Sequence, residues 1–123
     1  MARTTNENTL RETELDVIAA VENAAKKINL YMQGYDIEEL IAGAAYEERN
    51  NINGMWISLH SPEKGISRGR FIGLDAFKFF RHQIEDIVAT HLAELASQIL
   101  INSYEYSWDE AEKTADIIRG FAT

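Results

Sequence analysis

Five Lys and Arg residues and a single Asp lie between Lys64 and His82, a stretch that we call the basic segment. The rest of the 123-residue chain carries seven Lys or Arg residues and 19 carboxylates. Inside the basic segment, glycines surround Arg68 and Arg70, between a predicted strand and the start of a predicted helix. Glycine lets a ligand approach the backbone, a helix N-terminus presents free amides, and arginine grips a phosphate or carboxylate with paired hydrogen bonds. This combination predicts a binding site for an anion.

The candidate ligand-binding residues are the cations of the basic segment and the side chains beside them. Arg68 and Arg70 are two residues apart, so they would share one face of a strand. Phe71 and Phe79 supply rings that suit stacking on a purine base. The glycine spacing matches neither a P-loop nor a dinucleotide fingerprint. The predicted set is Lys64, Arg68, Gly69, Arg70, Phe71, Lys78, Phe79, Arg81 and His82.

In a second interpretation, the same residues bind no ligand. The cations would then pair with nearby carboxylates such as Glu85 and Asp86 on a solvated surface, and the aromatic rings would pack in the core. Phe77 and Phe80 share a helix face that Phe79 does not, which leaves Phe79 as a candidate exposed anchor. The sequence leaves both interpretations open.

Metal and catalytic chemistry lack a complete set of residues. His82 and Asp86 are four apart and His91 and Glu94 three apart, but the order is the reverse of the di-iron pattern and there is no HExxH. His91 falls on an apolar stripe, so a hydrogen-bonded core histidine is expected there. The chain has no cysteine and no GxSxG elbow. We therefore predict no enzyme, no cofactor and no metal.

The spacing of apolar residues predicts two helices in the first part of the chain. A helix is expected from Leu10 to Gln33, opened by a capping box of Thr9 and Glu12 and ended by Gly34. A second helix is predicted for residues 36–48, which begin with another capping-box pattern, and it would form an antiparallel hairpin with the first. Its apolar positions are Ile37, Leu40, Ile41, Ala44 and Ala45.

Alternating residues in the middle of the chain predict a β-hairpin. Met55 to His60 alternates at the strand period and contains strand-favouring residues. Ser61 to Gly65 contains Pro62 and a glycine, a turn of the length that closes hairpins, and Ile66 to Ile72 is the expected return strand.

Apolar spacing and a capping box in the last part of the chain predict two more helices. Helical spacing holds from Asp75 to about Tyr104, and Ser107 with Glu110 forms a capping box that opens a short helix ending near Gly120. The predicted fold is α+β and mainly helical. It consists of an N-terminal helical hairpin, a central two-stranded antiparallel β-hairpin, a long helix and a short C-terminal helix, in one domain over residues 1–123 with any disorder confined to 1–8.

Composition narrows the class of protein. With 46% apolar and 26% charged residues, the chain has the make-up of one globular domain. A formal charge of -8 argues against general nucleic-acid binding, because Lys and Arg supply most of that affinity. No apolar run approaches the roughly 20 residues of a membrane helix, and no signal-peptide pattern is present, so we expect no membrane contact. The absence of cysteine fits the cytoplasm.

These observations favour a non-enzymatic binding protein that holds an anionic small ligand, such as a nucleotide, at the basic segment. Small acidic proteins of this kind include phage- and plasmid-encoded sequestering proteins. The alternative is an acidic inhibitor or adaptor, of the anti-defence or nucleic-acid-mimic type, that acts on a basic macromolecular partner such as a host protein. The long apolar stripe and the many aromatic residues also predict a homodimer.

Overall fold

The computed structural model of the chain describes the backbone of residues 2–79 and 83–120, with the side chains of residues 11–77 and 83–120. The fold is α+β and mainly helical, as predicted. No helix in the described ranges combines the length and the apolar character needed to cross a membrane. The elements are α1 (Ala2–Met32), a 3-10 turn (Gln33–Tyr35), β1 (Ile41–Arg49), β2 (Ile52–Ser61), β3 (Ile66–Gly73), α2 (Leu74–Phe79), α3 (Ile84–Ser103) and α4 (Trp108–Gly120).

The sheet has three antiparallel strands in the order β1-β2-β3, one strand more than the predicted hairpin. β2 and β3 are the predicted pair, and their turn is the predicted one. At its end Gly65 adopts a φ of 64°, and its N–H donates to the carbonyl of Pro62 at 3.3 Å. The turn from β1 to β2 consists of Asn50 and Asn51, with φ of 51° and 65°. Two left-handed residues are what a two-residue hairpin turn requires, and asparagine tolerates that conformation.

The predicted helix over residues 36–48 is wrong, because Ile41–Arg49 forms β1 and the expected helical hairpin is absent from the described residues. Ala and Glu favour a helix there, but helix propensity is weak against pairing with a distant strand. Each residue of β1 has a partner on β2. The same stretch also alternates at the strand period, and the residues of that set that pack in or against the core are Leu40, Ala42 and Ala44.

Two helix boundaries differ from the prediction. α1 begins at Ala2, so Thr9 and Glu12 lie inside the helix and do not mark its start. The predicted long helix is two helices, α2 and α3, and residues 80–82 between them lie outside the described residues.

The predicted capping box at the start of α4 is confirmed. The backbone N–H of Glu110 donates to Ser107 Oγ at 3.2 Å, and the backbone N–H of Ser107 donates to Glu110 Oε1 at 3.4 Å. Each side chain thus satisfies an amide that the first turn of a helix leaves without a partner.

Helices α1 and α3 cover one face of the sheet, and α4 packs on α3. Asn29 of α1 fastens the start of β1, since its side-chain amide accepts from the N–H of Leu40 and donates to the carbonyl of Leu40, both at 2.8 Å. The core lies between the helices and the covered face. Its largest fully buried side chains are Phe77, Ile28, Met32, Leu40, Met55, Ile57, Leu59, Leu74, Leu92, Leu95, Ile99 and Leu100.

The outer face of the sheet carries two half-buried rings that lie over glycines of the neighbouring strand. A Cβ at Gly69 would overlap the Trp56 ring, and a Cβ at Gly54 would overlap the Phe71 ring. The guanidinium of Arg49 stacks over both rings, at 4.7 Å from the Trp56 centroid and 5.3 Å from the Phe71 centroid. The two glycines therefore allow the rings to lie flat on the sheet.

We predict that Gly54→Ala destabilises the fold by about 1–3 kcal/mol, because the added methyl overlaps backbone as well as ring. Its Cβ would lie 2.6 Å from the carbonyl oxygen of Ile72. Gly34→Ala is the matched control, since a Cβ there meets nothing within 4 Å, and it should change stability by less than about 0.5 kcal/mol. Urea denaturation followed by circular dichroism measures both. Equal stabilities of the two variants would contradict the described packing.

Candidate functional site

Arg70 is the residue of the basic segment that the fold turns toward the helices. It lies directly opposite the buried Ile57 in the β2–β3 register, so it projects from the covered face of the sheet. Its Nη1 forms an ion pair with Glu94 Oε2 and a hydrogen bond with His91 Nδ1 at 3.0 Å, both on α3. The predicted pairing of cations with carboxylates thus holds for Arg70, with Glu94 as the partner in place of Glu85 or Asp86.

The pKa values in this cluster follow from its hydrogen bonds and its burial. The hydrogen bond from Arg70 lowers the pKa of Glu94, partial burial opposes this, and the charges of Arg70, His91 and Arg119 lower it further. Burial, with the charge of Arg70, lowers the pKa of His91. Because arginine can only donate, His91 Nδ1 accepts and the ring proton sits on Nε2. His91 is therefore hydrogen-bonded, as expected, but it is half-buried and lies outside the core in which it was expected.

A cavity of about 270 Å³ opens beside this cluster, between β3, α3 and α4. Arg119 of α4 reaches it while paired with Asp116 at 2.7 Å. Trp108 lines it and stays 72% exposed. The lining combines two arginines, two carboxylates, two neutral polar side chains and an apolar patch: Arg70, Glu94, Ser97, Gln98, Ile101, Trp108, Glu112, Ala115 and Arg119. We call it the Arg70 cavity.

The fold separates the predicted site residues instead of gathering them. Arg68 shares the covered face with Arg70, where its Nη1 donates to the carbonyl of Ser67 at 3.4 Å. Gly69 and Phe71 lie on the outer face, since neighbouring strand residues point to opposite sides. Lys64 is in the turn, with its Nζ 5.1 Å from the ring centroid of Tyr104.

Four predicted site residues have no described side chain. Lys78 and Phe79 belong to α2 by their backbone, but their side chains lie outside the described ones. Arg81 and His82 lie wholly outside the described residues. Of the nine predicted residues, Arg70 is the one that lines the Arg70 cavity within the described part of the chain.

The sequence alone does not predict the helical side of the Arg70 cavity, although the spacing of its residues is visible there. On α4 the lining residues recur at steps of four, three and four, which is one helix face: Trp108, Glu112, Ala115 and Arg119. On α3, Glu94, Gln98 and Ile101 are spaced in the same way. Each set is a helix face, but only the packing of α3 against α4 and β3 brings the two together.

A second cavity, of about 240 Å³, lies at the other side of α4 and is lined by three tyrosines. Tyr31 donates to the hydroxyl of Tyr35 at 3.2 Å, and this hydrogen bond is the main reason that the pKa of Tyr31 rises to about 12. Lys113 is the single cation of the lining, which also contains Glu110. The Arg70 cavity has two arginines and is the stronger candidate for an anion.

The comparisons give no relative from which a function could be transferred, since the chain matches no family model, no curated protein and no solved structure. Among the described residues, no group of three or more His, Asp and Glu side chains is placed to hold a metal ion.

We predict that the free energy of unfolding falls as the pH is lowered from 7 through 6.5, the ordinary pKa of histidine. The unfolded chain binds a proton at its imidazole there, whereas folded His91, with its lowered pKa, does not until lower pH. The lowered pKa of Glu94 adds a further loss below its ordinary value of 4.5.

His91→Gln tests the first part of this prediction, because glutamine can still accept from Arg70 but does not titrate. The variant should lose less stability than the wild type between pH 7 and about 5.5 in urea denaturation. An unchanged slope in His91→Gln would rule out His91 as the source.

Proposed function

We propose that the protein is a non-enzymatic binding protein that sequesters a small anionic ligand, such as a nucleotide, in the Arg70 cavity. One observation carries the proposal. Arg70, a residue of the basic segment, lines a cavity that is also lined by a second arginine, Arg119, and by an exposed ring, Trp108. In one concave site, a cation can bind the phosphate of a phosphorylated heterocycle and an aromatic ring can stack on its base.

The anionic part of the ligand would bind to Arg70. Its contacts with described residues all use Nη1, whereas a guanidinium offers five N–H donors in a planar fork. Nε and Nη2 remain able to grip a phosphate or carboxylate. Glu94 and His91 hold the guanidinium in place, which reduces the side-chain entropy that a ligand would otherwise have to overcome.

The apolar part of the ligand would lie against Trp108, Ile101 and Ala115. Large side chains that stay exposed on α4 are poor choices for stability, so a ring that is 72% exposed at a cavity rim suits a stacking role. The volume of about 270 Å³ is slightly below the usual range of ligand pockets, roughly 300–1,000 Å³. This size supports a ligand no larger than a mononucleotide.

Binding without catalysis fits the titration of the cluster. General acid and base groups work best when their pKa lies near the operating pH. Glu94 has a lowered pKa and is ionised and paired with Arg70 at neutral pH, so it is a poor acid and a weak base. The Nδ1 of His91 is occupied by its hydrogen bond with Arg70. Both side chains are better suited to positioning Arg70 than to transferring protons.

Arg70→Gln should weaken ligand binding by about tenfold or more, since hydrogen bonds to charged groups contribute about 1.5–3 kcal/mol. The matched control is Arg68→Gln, which removes the same group from the same strand two residues away, outside the lining of the Arg70 cavity. The measurement is isothermal titration calorimetry with adenosine and guanosine monophosphates, their diphosphates and inorganic phosphate.

The expected result is that at least one nucleotide binds the wild type and Arg68→Gln alike and binds Arg70→Gln weakly. Native mass spectrometry of the protein purified from its own host extends the panel to retained ligands. The proposal fails if Arg70→Gln binds as the wild type does. It also fails if no nucleotide binds and no small molecule is retained.

The surface around Trp108 favours the alternative function, an acidic inhibitor or adaptor of a basic macromolecule. The exposed ring has Asp109 beside it and Glu112 one turn further along α4. Exposed aromatic residues with a charged surround are typical anchors of protein interfaces. A pull-down with immobilised wild type, Asp109→Lys and Arg70→Gln tests this. Capture of a basic protein by the wild type and by Arg70→Gln, but not by Asp109→Lys, would favour the alternative.

A further inference from the structure

The second cavity, at the other side of α4, combines three aromatic rings with one carboxylate, and we call it the tyrosine cavity. The rings are those of Tyr31, Tyr35 and Tyr106, and the carboxylate is that of Glu110. Its lining shares no residue with that of the Arg70 cavity. A ligand of the tyrosine cavity would therefore be held by different side chains from those of the proposed anion site.

The backbone holds the three rings at the border of the tyrosine cavity. Tyr31 is in the last turn of α1 and Tyr35 ends the 3-10 turn, with their ring centroids 5.2 Å apart and their planes at 45°. Tyr106 lies between α3 and α4, where its backbone N–H donates to the carbonyl of Leu100 at 3.1 Å. Tyr31 and Tyr106 pack against the core, whereas Tyr35 is 56% exposed. The site is therefore already formed without a ligand.

Tyrosine rings attract positive charge. The face of the ring is the negative end of its quadrupole, and quaternary ammonium groups are recognised by several such rings around one space. Burial raises the pKa of Tyr106, and Tyr35 and Glu110 raise it further. The pKa of Tyr31 is also raised, to about 12. Both phenols therefore stay protonated at neutral pH and offer neutral ring faces to a ligand.

Two negative groups lie beside the rings. The first is Glu110, whose Oε1 accepts from the backbone N–H of Ser107 at 3.4 Å. Among the described residues Glu110 forms no ion pair, so its charge is available to a ligand. The second is the C-terminus of α1, where the helix dipole places partial negative charge and the last turn contains no basic residue. Both groups stabilise a positive charge in the tyrosine cavity.

Lys113 is the group of the lining that opposes a cation. Its side chain is exposed, so its ammonium can extend into water while the aliphatic stem borders the cavity. Its repulsion is therefore weaker than the attraction of groups that face the ligand. This difference in sign between Lys113 and Glu110 also provides a test of the charge of the ligand.

We propose that the tyrosine cavity binds a small methylated ammonium ion, such as choline, with the charged group among the three rings and beside Glu110. A primary ammonium needs several acceptors to replace its water, whereas a quaternary ammonium needs none. The apolar side chain of Ile117 adds a wall that suits methyl groups. The volume of about 240 Å³ limits the ligand to a small ion.

Titration with choline, followed by 1H–13C NMR of the tyrosine rings, tests the site. The chain has five tyrosines, and two of them, Tyr46 and Tyr104, do not line the cavity. We expect choline to shift the ring signals of Tyr31, Tyr35 and Tyr106 and to leave the other two in place. The neutral isostere 3,3-dimethyl-1-butanol has the same shape without the charge, and it should bind at least about fivefold more weakly.

Tyr35 is the ring to replace, because it is the most exposed of the three and its loss leaves the core intact. Tyr35→Leu should raise the dissociation constant for choline by about fivefold or more, since it removes a ring face. Tyr35→Phe is the matched control. It keeps the ring and loses the hydroxyl, so its dissociation constant should stay within about twofold of the wild type.

Two charge variants should move the dissociation constant for choline in opposite directions. Glu110→Gln removes the attraction and should raise it by about threefold or more, while glutamine still fits the capping box with Ser107. Lys113→Gln removes the repulsion and should lower it. Glu85→Gln, in the first turn of α3 and thus at the far end of that helix from Tyr106, is the control and should have no effect. Circular dichroism checks the fold of each variant.

Any of three results would overturn the proposal. One is the absence of shifts at the cavity tyrosines in about 20 mM choline. Another is equal binding of choline and 3,3-dimethyl-1-butanol, which would make the site apolar without selectivity for charge. The third is tighter binding in Glu110→Gln with weaker binding in Lys113→Gln, since that pattern would show that the ligand is held as an anion. None of these results depends on whether the Arg70 cavity binds a nucleotide.

Discussion

The central strand β2 has one face under the helices and one face outside, and this alternation determines where the other strands place their side chains. Met55, Ile57 and Leu59 are fully buried, while Trp56 and Ser58 between them are half-exposed. Both neighbouring strands take their register from β2. A slip of one residue would carry every side chain of a strand to the opposite face.

The Arg70 cavity depends directly on this register. Arg70 reaches α3 because it lies opposite the buried Ile57, and Phe71 lies on the outer face because it is opposite Trp56. With β3 shifted by one residue, the core would receive Gly69 and Phe71, and both arginines would leave the helices. The glycines under Trp56 and Phe71 support the same register, since another residue at either position would displace a ring.

Much of the fold could be predicted where local signals and tertiary structure agree. The β2–β3 hairpin, its glycine turn and the Ser107–Glu110 cap all follow from neighbouring residues. β1 could not be predicted from local preference, because its Ala and Glu residues favour a helix, its apolar residues fit both the helical and the strand period, and pairing with β2 decides between the two. The candidate site divides in the same way. The sequence predicts that Arg70 binds an anion, and this stays a prediction. Its partner Glu94 is 24 residues away, and the residues of α4 join it only through helix packing.

Nucleotide titration followed by 1H–15N NMR of the tryptophan indoles tests the Arg70 cavity most directly. The chain has two tryptophans, and the fold puts them on different surfaces: Trp108 at the cavity and Trp56 on the outer face of the sheet. Trp56→Phe and Trp108→Phe assign the two signals. We expect a mononucleotide to shift the signal of the Trp108 indole and to leave the signal of the Trp56 indole in place. A shift of Trp56 with Trp108 unmoved would contradict it, because the ligand would then bind on the outer face.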